Sequence, residues 1–177
     1  VLGEHNVKNA LAASAAALRM GIDPEIIAKA LAAFTGVGRR MEYKGSYNGA
    51  KIYDDYAHHP SEVETTLRAV RRAHEGRIIC VFQPHTYTRT AALKEGFAKA
   101  LSLADKVILA DIYAAREKNT IGITSAAIGE LMQNAECVSG FDAIVSSLES
   151  DACDGDFVLT MGAGDIYKVG EMLCNKK

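Results

Sequence analysis

A doubly wound, mostly parallel Rossmann-like α/β sheet is the fold this sequence predicts, with a β-hairpin at its start and a helical hairpin ahead of it. Three observations carry the prediction. The runs Ile78–Phe82, Val107–Ala110 and Phe157–Met161 are apolar but for Thr160, as suits strands covered on both faces. Helical patterns separate these runs, which calls for parallel pairing through crossover helices. Asn48-Gly49 stands between Gly45-Ser46-Tyr47 and Ala50-Lys51-Ile52-Tyr53, the strongest short-range hairpin signal a sequence offers.

Taken in order, residues 6–20 are rich in Ala and Leu and predict a helix that Gly21 stops. Asp23-Pro24-Glu25 restarts one with a cap, a first-turn proline and a first-turn acid, and Thr35-Gly36 ends it. Such a helical hairpin needs a partner surface. The Gly36–Arg40 loop is the expected boundary, with residues 1–40 as the tail of one domain and 41–177 as a complete α/β domain. Ser61-Glu62-Val63-Glu64, after Pro60, reads as a capping box that opens a helix to about Ala73. Further helices are expected over Ala91–Leu101, Ser125–Gln133, Phe141–Leu148 and Asp165–Cys174, with a weak strand at Cys137–Val138.

The chain has 177 residues, with 20 Lys+Arg against 22 Asp+Glu, so it lacks the basic excess of a nucleic-acid-binding domain. Its longest apolar stretch, Ala10–Leu18, is interrupted by Ser14 and falls well short of the ~20 residues that span a bilayer. No membrane association is expected. Four scattered cysteines, with no C-x-x-C and no histidine at ligand spacing, read as thiols of a reducing compartment, so a cytoplasmic location is expected and no structural metal. A first residue of Val1 reads as the start of an excised fragment.

In such a sheet, ligands bind beyond the carboxyl ends of the strands. The loops expected there are Asp54-Asp55-Tyr56-Ala57-His58-His59-Pro60, Gln83 to Thr90, Tyr113 to Asn119 and Gly162-Ala163-Gly164-Asp165. Singly, each has an ordinary explanation: strand ends, a lead into a helix, solvated arginines. The Gly162-Ala163-Gly164 turn lacks the third glycine of a dinucleotide fingerprint, where Tyr167 stands. It reads better as a tight turn whose free helix N–H groups receive an anion.

Together the loops are recognisable. Gly3-Glu4-His5-Asn6-Val7-Lys8-Asn9-Ala10 resembles the G-x-H-N-x-x-N signature of the Mur ligase family. Gly36-Val37-Gly38-Arg39-Arg40-Met41-Glu42, the Asp54–Pro60 loop and Phe82-Gln83-Pro84-His85-Thr86-Tyr87-Thr88-Arg89-Thr90 follow in that family's order. The last two, with Asp111-Ile112-Tyr113-Ala114-Ala115-Arg116-Glu117, are similar to the loops of the members that join L-alanine to UDP-N-acetylmuramate.

The resemblance implies the end of a central ATPase domain followed by a C-terminal domain. It also implies ATP-dependent amide-bond formation through an acyl phosphate, in peptidoglycan precursor synthesis. ATP and magnesium are the implied cofactors, and the magnesium ligands and the P-loop are expected in missing domains, so the fragment alone is expected to be inactive. By motif, Asn6 and Asn9 are implied at the adenine of ATP with His5 beside them, Asp55 at the ribose, and Arg40 facing the phosphates as the catalytic charge. His58, His59 and Arg89 are implied around the incoming L-alanine. Some relatives carry a second arginine where this chain has Thr86, so carboxylate recognition is expected to rest on Arg89 or on the helix after Gly164. A related murein-peptide-recycling ligase, a folylpolyglutamate-synthase-like ligase and a stand-alone nucleotide- or phosphate-binding module are the alternatives.

Overall fold

The computed structural model describes residues 4–176, with the backbone alone for Glu4 and His5, so the His5 side chain lies outside the described residues. The chain forms two compact units, Val1–Gly38 and Arg39–Lys177. In the first, α1 (Glu4–Arg19) and α2 (Pro24–Ala33) form the helical hairpin. Gly21 takes φ +80° in the turn between them, and Asp23 caps α2 by accepting from Glu25 N at 2.7 Å. No residue of α2 is buried, and Ile26, Leu31 and Phe34 are exposed. Their apolar side chains gain nothing within this unit.

The second unit holds a sheet in the order β1-β2-β6-β3-β4-β5. Its strands are β1 (Glu42–Tyr47), β2 (Ala50–Asp55), β3 (Ile78–Phe82), β4 (Lys106–Leu109), β5 (Ala135–Cys137) and β6 (Phe157–Met161). β1 and β2 pair antiparallel through Asn48 (φ +47°) and Gly49 (φ +82°), both left-handed as a two-residue hairpin turn requires. All other pairings are parallel. α3 (Pro60–Ala73), α4 (Tyr87–Leu101) and the short α5 (Ala126–Gly129) cover one face, and α6 (Phe141–Asp151) and α7 (Tyr167–Cys174) the other.

Every residue of β3 and β6 is buried, which is why those runs carry no polar alternation. Cys80, Phe82 and Leu159 face α3 and α4, while Ile79, Val81 and Val158 face α6 and α7. The two sides form two separate cores. β3 and β6 are neighbours, but the chain leaves β3 toward β4 and reaches β6 only after β5. The crevice between their carboxyl ends is therefore the topological switch point, where such folds bind ligands.

Several expected bounds differ: α4 opens at Tyr87 and not Ala91, α7 at Tyr167 and not Asp165, and β5 spans Ala135–Cys137 and not Cys137–Val138. Pro60 occupies the first helical position of α3, so the cap is His59 and the capping-box acid is Glu62, two residues earlier than the expected Ser61 and Glu64. Glu62 Oε2 accepts from the N–H groups of His58 and His59 at 3.0 and 3.2 Å. The expected helix Ser125–Gln133 is regular only over Ala126–Gly129, because the chain tightens there into i→i+3 bonds, Leu131 N to Ile128 O and Met132 N to Gly129 O.

Candidate active site

Four loops meet at the carboxyl ends of β2, β6, β3 and β4, and the residues between Arg39 and Glu42 join them. Arg39 and Met41 both take left-handed backbone angles, φ +58° and +47°, which cost a non-glycine residue about 1–2 kcal/mol each. Specific bonds hold the strain. Arg39 N donates to Glu42 Oε2 at 2.7 Å, Tyr56 N to Arg39 O at 2.8 Å, and Met41 N to Asp55 Oδ2 at 2.9 Å. Between the two strained residues Arg40 stands exposed, close enough to Asp55 and Glu62 for its charge to favour their ionised forms.

Adjacent arginines do opposite work here. Arg39 turns inward: Nε donates to Asp54 Oδ2 at 2.8 Å, Nη2 to Gly162 O at 2.7 Å and Nη1 to Gly164 O at 2.9 Å. Its guanidinium also lies over the rings of Tyr56 and Tyr167, 5.0 and 4.7 Å from their centroids. Asp54 is fully buried and accepts a further bond from Thr160 Oγ1 at 2.7 Å. Burial pushes the Asp54 carboxyl above its ordinary range, and Arg39 and Thr160 pull it back only in part.

Asp55, expected at the ribose of ATP, is held by bonds to the protein. It is 3% exposed, and besides Met41 N it accepts from Ala57 N at 2.9 Å and from Thr66 Oγ1 at 3.4 Å. Burial raises its pKa against the two backbone bonds and the Arg40 charge. Its carboxylate ties the strained turn to the end of β2.

The histidines also divide. His59 points to Ser61, with Nδ1 2.8 Å from Ser61 Oγ, and serves α3 as its cap. His58 points the other way, as neighbours in extended backbone do. Its Nδ1 lies 3.0 Å from Tyr56 O, and its ring is edge-on to that of His85 at 6.0 Å. His85 stacks on Tyr113 at 5.6 Å. Burial, followed by the Arg89 and His58 charges, lowers the pKa of His85 and favours the neutral ring. Arg89 Nη1 and His85 Nδ1 are both buried without a hydrogen-bond partner among the described residues. A buried donor left unmet costs about 1–3 kcal/mol, so this pair defines a place that a polar ligand would satisfy.

In the turn after β6, where the sequence left free N–H groups for an anion, Gln83 Oε1 accepts from Asp165 N at 3.0 Å and Ile166 N at 3.2 Å, so two of those donors are taken. A Cβ at Gly164 would stand 2.3 Å from Gln83 Oε1 and 2.7 Å from Tyr113 Cγ, so this closure requires glycine. Asn6 and Asn9 lie one turn apart on α1, on the same side of that helix. Among the described residues, no group of three or more His, Cys, Asp or Glu could hold a metal ion, and no helix is long and apolar enough to cross a membrane.

Sequence reasoning passed over Arg39, Gln83 and Glu117 as functional residues. Arg39 and Gln83 stood inside quoted motifs, but their partners Gly162, Gly164 and Asp165 are too remote in sequence for any local pattern to pair them.

A mostly parallel sheet whose switch point is lined by arginine, histidine and carboxylate places the chain among the ligand-binding α/β domains. Residues 39–164 match the model of the Mur ligase, glutamate ligase domain, and the chain belongs to the Mur ligase family. It is 50% identical over 181 residues to the UDP-N-acetylmuramate--L-alanine ligase of Acetivibrio thermocellus, covering 100% of this chain and 39% of that ligase. The crystal structure of the UDP-N-acetylmuramate-alanine ligase of Thermotoga maritima superposes with a TM-score of 0.79 at 30% identity, over 98% of this chain and 37% of that one. A murein peptide ligase of Psychrobacter arcticus follows at a TM-score of 0.71 and 27% identity, over 99% of this chain and 38% of that one. The chain thus spans about two-fifths of the length of the relatives it matches.

Proposed function

We propose that this chain is the amino-acid-receiving part of a longer ATP-dependent ligase that joins L-alanine to UDP-N-acetylmuramate in peptidoglycan precursor synthesis. The observation that carries the reading is that Arg89 Nη1 and His85 Nδ1 are buried and unsatisfied among the described residues, where four functional loops converge. An amino acid offers one large polar handle, its carboxylate. A guanidinium fork can hold that group in two parallel bonds, at a point where His58 and His85 already line the pocket. Residues 1–40 then end a central ATPase domain, and 41–177 form the C-terminal domain.

In this reading Asn6 and Asn9 serve the adenine of ATP, with His5 beside them. Arg40 faces the phosphates, held out by the strained turn that Asp55 ties down. Magnesium, bound by residues outside this chain, supplies charge neutralisation at the transferring phosphoryl group. The chain's own residues orient the amine's carrier and shield the site from water; the substrate carboxylate and UDP-sugar sites belong to the missing domains. The enzyme works in the cytoplasm, consistent with the four free thiols.

The test is kinetic, on the full-length parent enzyme. Arg89→Lys keeps the charge and loses the fork. It is expected to raise KM for L-alanine by about tenfold or more, a loss of roughly 1.4 kcal/mol, while KM for ATP stays nearly constant. Glycine should be a usable substrate, since one methyl group is worth only about 0.8 kcal/mol of burial. An altered KM for ATP with unaltered KM for alanine would move the loop to the nucleotide. Turnover with an alanyl peptide but none with alanine would assign the chain to a murein-peptide ligase instead.

A further inference from the structure

The loop after β4 carries a residue with no role so far. α4 begins at Tyr87, and its cap residue, Thr86, takes φ +68° and ψ 146°; the Thr86 side chain makes no capping bond. The helix is capped from elsewhere. Glu117 Oε2 accepts from Thr88 N at 2.9 Å, and Glu117 Oε1 accepts from the Thr88 hydroxyl. The loop that brings Glu117 there is stitched to the β3 loop. Thr86 N donates to Tyr113 O at 2.9 Å and Tyr113 N to Pro84 O at 2.9 Å. Ala115 takes the left-handed angle φ +51° that turns the chain back, and Glu117 N donates to Ala114 O at 2.9 Å.

Arg89 is the next residue after Thr88, in the same first turn of α4. Whatever sets that turn sets the origin of the Arg89 side chain. A carboxylate is the favoured group at a helix N-terminus, where the N–H groups and the helix dipole attract negative charge. Those same N–H groups would otherwise offer a substrate carboxylate a second place to bind, next to Arg89 and in the wrong orientation. With Glu117 on Thr88 and Gln83 on the turn before α7, both helix ends facing the site are already met by protein. The guanidinium of Arg89 remains.

We infer that Glu117 is a positioning residue for amino-acid recognition: it caps α4 from the β4 loop, fixes the Arg89 guanidinium, and denies the helix N-terminus to the substrate carboxylate. This rests on the reading of Arg89 as the alanine anchor, and it explains why the Asp111–Glu117 motif accompanies the β3 loop. Because the effect passes through Arg89, it should appear in the binding of alanine and not in that of ATP.

The test uses the full-length parent ligase with Glu117→Ala, Glu117→Gln, Arg89→Lys and the double variant Glu117→Ala/Arg89→Lys. Glu117→Ala is expected to raise KM for alanine by about tenfold or more, since small misplacements of a binding group cost that much, with KM for ATP unchanged. Glu117→Gln keeps one acceptor oxygen at the same reach and should recover part of the loss; it also stands in should the alanine variant fail to fold. In the Arg89→Lys background, Glu117→Ala should add little, the non-additivity expected of residues acting through one contact. Folded Glu117→Ala enzyme with wild-type KM for alanine, wild-type KM in Glu117→Gln where only that variant folds, or fully additive losses in the double variant, would overturn the inference. If Arg89→Lys itself left alanine KM unchanged, the site reading would fall and this inference with it; if Arg89→Lys raised it while Glu117 variants did not, only this inference would fall.

Discussion

Arg39→Ala is expected to destabilise the α/β unit by about 3–5 kcal/mol, because it leaves a buried carboxylate without its partner. Asp54 has no exposed surface, and among the described residues its only other side-chain donor is Thr160. The same substitution unties Gly162 O and Gly164 O and removes the planar group between Tyr56 and Tyr167. For a unit of this size the loss corresponds to a fall in Tm on the order of 10–15 °C. Arg39→Lys should restore only part, since an ammonium is a point charge with neither fork nor stacking plane. Thermal or urea unfolding of the chain reads both. A loss below about 1 kcal/mol for Arg39→Ala would mean that the clamp adds little beyond its surface contacts.

The deficit should also depend on pH. Burial already raises the Asp54 pKa in the folded protein, and Arg39 is the first of the groups that oppose it. Without Arg39 the folded pKa rises further above the unfolded value, so the folded state takes up a proton more readily than the unfolded chain. The Coulombic part of the deficit is therefore complete above the variant's folded pKa and disappears below the wild type's folded pKa, where Asp54 is neutral in both folded proteins. Asp105 and Asp156 behave oppositely. Their burial is outweighed by bonds from Arg71 and Arg77, their pKa values are lowered, and acid costs both proteins that stability alike. The difference between wild type and Arg39→Ala then isolates Asp54, and should shrink as pH falls through the raised folded pKa of Asp54.

How far a sequence discloses such a site depends on the range of the interactions. β3 and β6 were legible to the residue, because burial on both faces leaves a nearly continuous apolar run, broken in β6 only by Thr160. The Asp23–Pro24 start of α2 and the Asn48-Gly49 turn were legible because their causes lie within four residues. Division of labour between neighbours was not. Arg39 and Arg40 are chemically identical; only Asp54 and the two glycine carbonyls, far along the chain, turn one of them inward. His58 and His59 part for the same kind of reason, since Pro60 makes His59 the cap of α3. The Gly162-Ala163-Gly164 turn looked open because its occupant, Gln83, comes from another strand.

Arg40→Ala should separate catalysis from stability. Arg40 is exposed and among the described residues no hydrogen bond or ion pair depends on its side chain, so unfolding of the chain is expected to change by less than about 0.5 kcal/mol. In the full-length ligase the same change should lower kcat by a factor on the order of 10², roughly 3 kcal/mol, because the guanidinium meets charge that grows only as the phosphoryl group transfers. Asp55→Ala should show both losses. It leaves Met41 N and Ala57 N without their acceptor, at about 1–3 kcal/mol each, offset in part by relief from burying a charge. The turn that presents Arg40 then relaxes from its strained angles, and turnover falls with it. Asp55→Asn keeps acceptor capacity and should recover more stability than activity, since an amide donor now faces one of the two N–H groups. Near-normal turnover in folded Arg40→Ala would remove that arginine from the reacting centre. A stable Asp55→Ala enzyme that has lost only its affinity for ATP would return Asp55 to the ribose hydroxyls and show that the turn holds Arg40 without it.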